Sequence, residues 1–316
     1  MAVGFITGRF GADRTDKILD LCFEEAKRED KKPIYILVPE KFTYEMEKRL
    51  SEKLEDEKNI DPNFRIRVVS FSTLSKIVFT NVGGLKERRL TTSARSLLTF
   101  KAMDLVSKDL ITFKSDDFKM GFVNNIMDMI IEFKQNDFSV TDVFSLKENV
   151  KNESLKFKMQ DLYNIYKSYE NLIDKKYSDT EDTLNIFAEK LDDFESIKGA
   201  TIFVDEYMDF TPAQYLVIEK LIYFSKNIYF SLLTDFKNLH SKMNMFLRSN
   251  STILNIKNIC EKYNIPLFEN ISLSNESYYN SKDLSFLEKN IGTFSPKPYS
   301  KDSENIRILK FKNIYD

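Results

Sequence analysis

The first eighty residues repeat one pattern three times: an apolar run, a loop and an amphipathic helix. Gly4–Thr7 is a short buried strand, and Leu19, Cys22, Phe23 and Ala26 recur behind it at helical spacing. Ile34–Val38 is a continuous apolar run, typical of a strand buried on both faces. A charged helix over Glu45–Lys58 follows. Arg65–Ser70 alternates into a third strand, and Phe71–Ser75 opens a third helix. Strands separated by helices pair in parallel, because each helix carries the chain back to the starting edge. The pattern therefore predicts an open α/β sheet.

Val82-Gly83-Gly84-Leu85 ends this rhythm. No strand pattern occurs from Thr91 to Leu191. Helices are predicted at Ala94–Ser107, Asp116–Asn136, Val140–Val150, Ser154–Lys175 and Thr180–Leu191. The α/β pattern returns with a strand at Ala200–Val204, a helix at Pro212–Phe224 and a strand at Asn227–Leu233. A helix at Ser241–Asn264 and a strand at Pro266–Ser272 follow. Ser274–Asp302 is polar and reads as loop. Ile306–Phe311 alternates like a strand with nothing after it to complete a unit. The boundaries that follow are 1–87 for the first part of the α/β domain and 88–195 for an inserted all-helical domain. Residues 196–290 form the second α/β part, and 291–316 a linker with the truncated start of a further domain.

Composition removes several functions. Hydrophobic residues make up 42%, so a large core is available. The 47 basic and 49 acidic residues nearly cancel, so any nucleic-acid contact needs a local patch. Two cysteines, Cys22 and Cys260, cannot form a disulfide framework or a cysteine-only metal centre. No run approaches a membrane span and no signal-peptide pattern opens the chain, so a reduced, cytoplasmic protein is expected. His240, the single histidine, has no ligand-type neighbours at metal spacing and is expected at the surface.

The loop Gly8-Arg9-Phe10-Gly11-Ala12-Asp13-Arg14-Thr15 joins the first strand to the first helix. That is the frame of a phosphate loop, G-x-x-x-x-G-K-[ST], in which backbone N–H groups and a helix N-terminus converge on an anion. Gly8, Gly11 and Thr15 keep their parts. Asp13 replaces the second glycine and Arg14 the lysine. A carboxylate about 4 Å from a phosphate charge costs roughly 4 kcal/mol at intermediate dielectric, if it faces the cradle. The alternative is an ordinary helix cap at Asp13. ATP and magnesium are the cofactors such a loop would take.

Val204-Asp205-Glu206-Tyr207-Met208-Asp209-Phe210-Thr211-Pro212-Ala213-Gln214 ends a buried strand in two acids. In nucleotide motors the first such acid holds magnesium through water and the second orients the attacking water. A solvated strand end would explain the acids, but not the Phe-Thr-Pro-x-Gln tail. Two further loops stand at strand ends, Pro39–Tyr44 and Ser70–Lys76. Their cations, hydroxyls and aromatics (Lys41, Thr43, Phe71, Thr73, Lys76) suit phosphates and stacked bases of a DNA strand. Capping by Thr43 and Ser72 is the plainer reading of the same hydroxyls.

The order of these segments resembles the first motor-like domain of superfamily 1 helicases. It is most similar to the N-terminal region of the AddB (RexB) family, one of the two subunits of the bacterial ATP-dependent helicase/deoxyribonuclease. The carrying segments are the glycine loop, I-L-V-P-E-K-F-T-Y-E-M-E, S-F-S-T-L, G-G-L with a helical insertion, and V-D-E-Y-M-D-F-T-P-A-Q. The resemblance implies a RecA-like, P-loop NTPase-type parallel sheet with an inserted helical domain. It implies a heterodimer with an AddA/RexA-type motor subunit that unwinds and resects double-strand ends for recombinational repair, with the AddB-type subunit lying along a DNA strand. A nuclease with an iron–sulfur cluster belongs to the family's C-terminal part and is not expected in this chain.

Departures from the family pattern matter. The family usually shows G-R-S-G-S-G-K-T, and a glycine often stands where this chain has Glu206. Lys41, Thr73 and Lys76 replace a glutamine, an arginine and a tryptophan, while Thr43 and Phe71 match. The expectation is a degenerate nucleotide site, with Asp205 and Glu206 vestigial and nucleotide contacts limited to Gly8, Gly11, Arg14 and Thr15. DNA-strand contact through Lys41, Thr43, Phe71, Thr73 and Lys76 is retained, and Chi reading of the usual kind is not expected. An active ATPase using Arg14, and a docking scaffold without DNA contact, stand as alternatives.

Overall fold

The computed structural model describes residues 1–28, 32–56, 65–84, 88–114, 118–136, 138–173, 177–178, 180–236, 239–240, 245–274, 278–292, 295–311 and 313. The chain divides into two compact units. One holds Met1–Phe71, Ser196–Asp209 and Leu221–Asp316; the other holds Ser72–Glu195 and Phe210–Lys220.

The first unit is built on a six-stranded, all-parallel sheet. Its strands are β1 (Ala2–Gly8), β2 (Ile34–Leu37), β3 (Ile66–Val69), β6 (Thr201–Val204), β7 (Asn227–Leu233) and β8 (Ile271–Leu273). They lie in the order β3-β2-β6-β7-β1-β8. β1 is buried along its whole length and pairs with β7 from Ala2↔Asn227 to Gly8↔Leu233. β2, the continuous apolar run, sits between β3 and β6, as its two-sided burial requires. Helix α1 (Arg14–Ala26) buries Ile18, Leu19, Cys22 and Phe23. Helix α2 (Thr43–Asp56) adds Met46 and Leu50, and these join Ile6, Ile34, Ile36 and Phe203 in one core cluster. Each such side chain contributes about 1.5–3 kcal/mol on burial. Phe203, Tyr229 and Phe268 stack across the sheet, with ring planes 11° and 4° apart. Gly4 makes room for that stack: a Cβ there would lie 2.5 Å from the Tyr229 ring.

The second unit is mainly helical. Helices α4 (Thr92–Leu105), α5 (Met120–Gln135), α6 (Val140–Asn149), α7 (Glu153–Ile173) and α8 (Thr180–Lys190) follow α3 (Phe71–Val82), whose first residue belongs to the sheet unit. Ala102, Met103, Val123, Ile126, Ile130, Val143, Ile165 and Tyr169 form its core. Caps start the helices where the pattern demands them: Thr91 accepts the Ala94 N–H, and Ser139 with Asp142 forms a reciprocal capping box. Asp161, fully buried on α7, accepts the backbone N–H groups of Ile111, Thr112 and Phe113.

Several expectations are corrected. A two-residue parallel pair, β4 (Arg88–Arg89) with β5 (Tyr177–Ser178), lies where only helices were expected. Ile306–Phe311 forms no strand; Ile308 and Leu309 are 94% and 71% exposed, and no sheet edge pairs with them. Ser274–Asp302 contains a helix, α11 (Lys282–Asn290), started by Ser281, which accepts the Leu284 N–H. Helix α10 is Leu247–Lys262, shorter than Ser241–Asn264. Its expected start at 241–244, the ends of the helices expected at Lys58 and Lys175, and Lys31 and Lys86-Glu87 lie outside the described residues. α9 is Pro212–Phe224, as expected.

Candidate nucleotide and strand-facing site

Gly8 closes β1, and the chain turns through Arg9–Asp13 before α1 begins. Gly11 has φ +85°, the left-handed region, and a Cβ on it would lie 2.5 Å from the Tyr278 ring. Both facts demand glycine. Asp13 is the N-cap of α1. Its Oδ1 accepts the Asp16 N–H at 3.0 Å, and it lies 3.6 Å from Arg49 Nη1 with the side chain 59% exposed. Asp13 is therefore not turned into a buried cradle. Its carboxylate instead occupies one of the helix N-terminal donors that an anion would use.

Arg14 reaches back along the loop. Its Nη1 donates to the Gly8 carbonyl at 3.4 Å, and its buried Nε has no partner among the described residues. Thr15 Oγ1 donates to Asp205 Oδ2 at 2.8 Å. Asp205 is 1% exposed at the end of β6, and its Oδ1 accepts the Glu206 N–H. Glu206 has φ +63°, unusual for a residue with a side chain. Burial first, and then neighbouring Asp205, push its carboxyl above the ordinary glutamate range; Arg14 opposes them. A cavity of about 250 Å³ is lined by Phe10, Gly11, Arg14, Glu206, Tyr207 and Ser231. That is below the roughly 300–1,000 Å³ usual for small-molecule pockets.

Arg9 belongs to a network that sequence reasoning missed. Its Nε donates to Glu288 Oε1 at 2.8 Å and its Nη2 to the Glu288 carbonyl at 2.7 Å. Asp235 stands 3.5 Å away, and the guanidinium lies 5.1 Å over Phe246. The Tyr279 hydroxyl donates to the Phe10 carbonyl at 3.4 Å. No local pattern could join positions 279 residues apart; the helix that carries Glu288 is started by Ser281, a serine N-cap of the kind a sequence can show.

The strand-end residues are placed as follows. Lys41 is exposed, with its ammonium 4.7 Å over the Phe42 ring. Thr43 is the first residue of α2 and donates to the Glu40 carbonyl. Ser70 donates to Glu40 Oε2 at 2.7 Å and ties the two loops together. Phe71 is buried, edge-on to Tyr207 at 5.6 Å. Burial pushes the Tyr207 hydroxyl well above the ordinary tyrosine range. Tyr44, left out of the expected set, is 77% exposed, three residues after Lys41 in the chain. Thr73, half-buried, and Lys76, exposed, belong to the helical unit. The sheet unit thus gathers Gly8, Gly11, Arg14, Thr15, Asp205 and Glu206 in one place, with Lys41, Thr43 and Phe71 at neighbouring strand ends. His240 is exposed. Among the described residues no cluster of His, Cys, Asp or Glu is suited to hold a metal ion, and no helix is long and apolar enough to cross a membrane.

The six parallel strands with helices between them define an α/β chain with a parallel sheet, in which a glycine-bearing loop leads into α1 and two acids stand at the end of the next strand but one. A family model described as ADDB, N-terminal, matches residues 5–288, and the chain belongs to that family. It is 34% identical over 320 residues to the B subunit of the ATP-dependent helicase/deoxyribonuclease of Clostridioides difficile (strain 630), covering all of this chain and 28% of that protein. The corresponding helicase/deoxyribonuclease subunits of Thermoanaerobacter sp. (strain X514) and Clostridium botulinum (strain Hall) are each 33% identical, again over the whole chain, which covers 27% and 28% of them. The chain thus spans little more than a quarter of the length of these curated relatives.

Proposed function

We propose that this chain is the N-terminal helicase-like module of an AddB-type subunit that works with a motor subunit on double-strand DNA ends. It binds a DNA strand and docks its partner, and its nucleotide site is degenerate. In this reading the sheet unit is RecA-like and residues 88–195 are an insertion. The single observation that carries the degenerate site is the Asp13 carboxylate on the Asp16 N–H. A phosphate would have to displace a bonded anion from the helix N-terminus and meet a guanidinium already turned onto Gly8. ATP and magnesium therefore do not fit the loop as it stands, and no chemical step is assigned to them. On the sheet unit Lys41 and Thr43 supply phosphate contacts, and on the helical unit, taken by itself, Thr73 and Lys76 do so. Buried Phe71 supports Tyr207 instead of stacking on a base.

The test is nucleotide-dependent melting and strand-stimulated ATP hydrolysis. A ligand at one hundred times its Kd stabilises by about 2.7 kcal/mol. The expected result is no Tm shift with millimolar ATP and magnesium, and no turnover. ATPase activity abolished by Glu206→Gln would overturn it. A second reading, an active ATPase, draws on the Thr15–Asp205 contact and the unpartnered Arg14 Nε. It requires a nucleotide shift that Arg14→Ala removes.

A further inference from the structure

The helical unit carries a surface that neither the family pattern nor the loops above use. On α7, Lys156, Gln160, Tyr163 and Lys167 recur at intervals of four, three and four residues. They lie along one line of the helix, about 16 Å long at 1.5 Å per residue. The opposite side carries Leu162, Ile165, Tyr169 and Ile173 into the core. Helix α6 lies against α7 and completes the line. Phe144, 41% exposed, meets the Tyr163 ring at 5.2 Å. Lys147 spans the two helices: its ammonium lies 4.4 Å over Phe144 and donates to Gln160 Oε1 at 2.9 Å. Lys167 lies 5.7 Å over Tyr163.

Lysines outnumber acids on this face: Lys147, Lys156 and Lys167 against Glu148. Glu148 is 3.1 Å from Lys147 and feels Lys156, while Glu170 is bonded to Lys134. Neither Lys156 nor Lys167 forms a salt bridge among the described residues. A row of lysines alone is ordinarily a solvated helix face. Here Lys147 and Lys167 each lie over an aromatic ring that faces solvent in part, with Lys156 one turn before Gln160 on α7, so cation and π surface share the face. That pairing is what a single strand offers in reverse, phosphates alternating with bases that stack on any aromatic.

We infer that the α6–α7 face binds single-stranded nucleic acid, with Phe144 and Tyr163 as stacking platforms and Lys156 and Lys167 as phosphate contacts. Lys147 holds the platform by bridging the two helices. The inference rests on the strand-binding reading above but assigns it a second surface, independent of the sheet loops.

The test uses the full chain and a labelled oligothymidine of about twenty nucleotides, longer than the footprint of one binding unit. Lys156→Ala with Lys167→Ala is expected to weaken binding about tenfold at low salt. It should also reduce the slope of log K against log salt by about 1.4, which is about 0.7 for each single-strand phosphate that is no longer neutralised. Phe144→Ala with Tyr163→Leu is expected to weaken binding about tenfold with the slope unchanged. Lys167 is exposed and Lys156 half-buried outside the core, and the lysine pair carries the test if the aromatic variant melts early by circular dichroism. Affinity and slope within about twofold of the parent for the lysine pair, with binding lost in Lys41→Ala, overturn this inference alone. A parent chain that binds no oligothymidine overturns the strand-binding reading as well. A parent that binds polyglutamate in its place makes this face a site for acidic protein, and the inference falls.

Discussion

Replacing Asp13 by glycine should reopen the loop. The cost to the fold is small, because glycine at an N-cap loses only a few tenths of a kcal/mol relative to aspartate. The gain has two parts. The Asp13 carboxylate is 59% exposed, so its repulsion of a phosphate charge about 4 Å away belongs to the water-like regime and amounts to about 1 kcal/mol. Freeing the Asp16 N–H, now bonded at 3.0 Å, restores a donor to a charged acceptor and adds about 1.5–3 kcal/mol. The sum is about 3 kcal/mol, roughly a hundredfold in affinity. If the parent binds nucleotide with a Kd near 1 mM, the variant reaches about 10 μM. At 1 mM ATP with magnesium its stabilisation rises to about 2.7 kcal/mol, a Tm increase of about 5 °C for a chain of this size. Differential scanning fluorimetry with and without nucleotide reads this directly. A variant that melts close to the parent and shows no nucleotide shift would refute the argument, since Asp13 would then not be what closes the site.

Other outcomes are expected. Asp161→Ala strips a buried acceptor from three backbone N–H groups and should cost about 3 kcal/mol in a urea melt; a loss under about 1 kcal/mol would mean the 111–113 turn finds other partners. Arg65 donates to the carbonyls of Glu25, Ala26 and Arg28 at the end of α1, and Arg65→Ala should cost about 1–2 kcal/mol by the same assay. Glu206 has a raised folded-state pKa, so ionising it opposes folding. Its contribution is fully present below the ordinary glutamate pKa of about 4.3 and is lost as pH rises through the folded value. Glu206→Gln should therefore match the parent near pH 4 and exceed it at pH 7; an advantage that is largest in acid would contradict the shift.

The sheet could be read in advance where side-chain pattern and environment agree. The unbroken Ile34–Val38 run had to lie between two neighbours, and β2 does. The alternation of Ile306–Phe311 was equally clear, yet a strand also needs an edge to pair with, and Ile308 at 94% exposure has none. The nine-residue helix α11 was hidden because its buried positions include Asp283 and Glu288, which no hydrophobic period marks. At the loop, residue types were legible and their directions were not. Asp13 could equally have faced an anion or capped its own helix, and only the Asp16 N–H decides. Arg9 and Asp161 were invisible for a different reason: each meets backbone or carboxylate groups that the chain brings back from far along its length.

The bond between Thr15 and Asp205 has a mechanical consequence. β1 and β6 do not pair; β7 lies between them, so their ends stand about 9.5 Å apart at the usual spacing of strands. A 2.8 Å hydrogen bond that reaches across a whole strand depends on how far the sheet turns between its first and third members. Thr15 stands on α1, beyond the Arg9–Asp13 loop that follows β1, and Asp205 directly follows β6, so the bond joins a helix start to a strand end. That one bond therefore ties the start of α1 to the end of β6 over the intervening β7, so the two ends of the candidate site are held together by a contact outside the strand ladder.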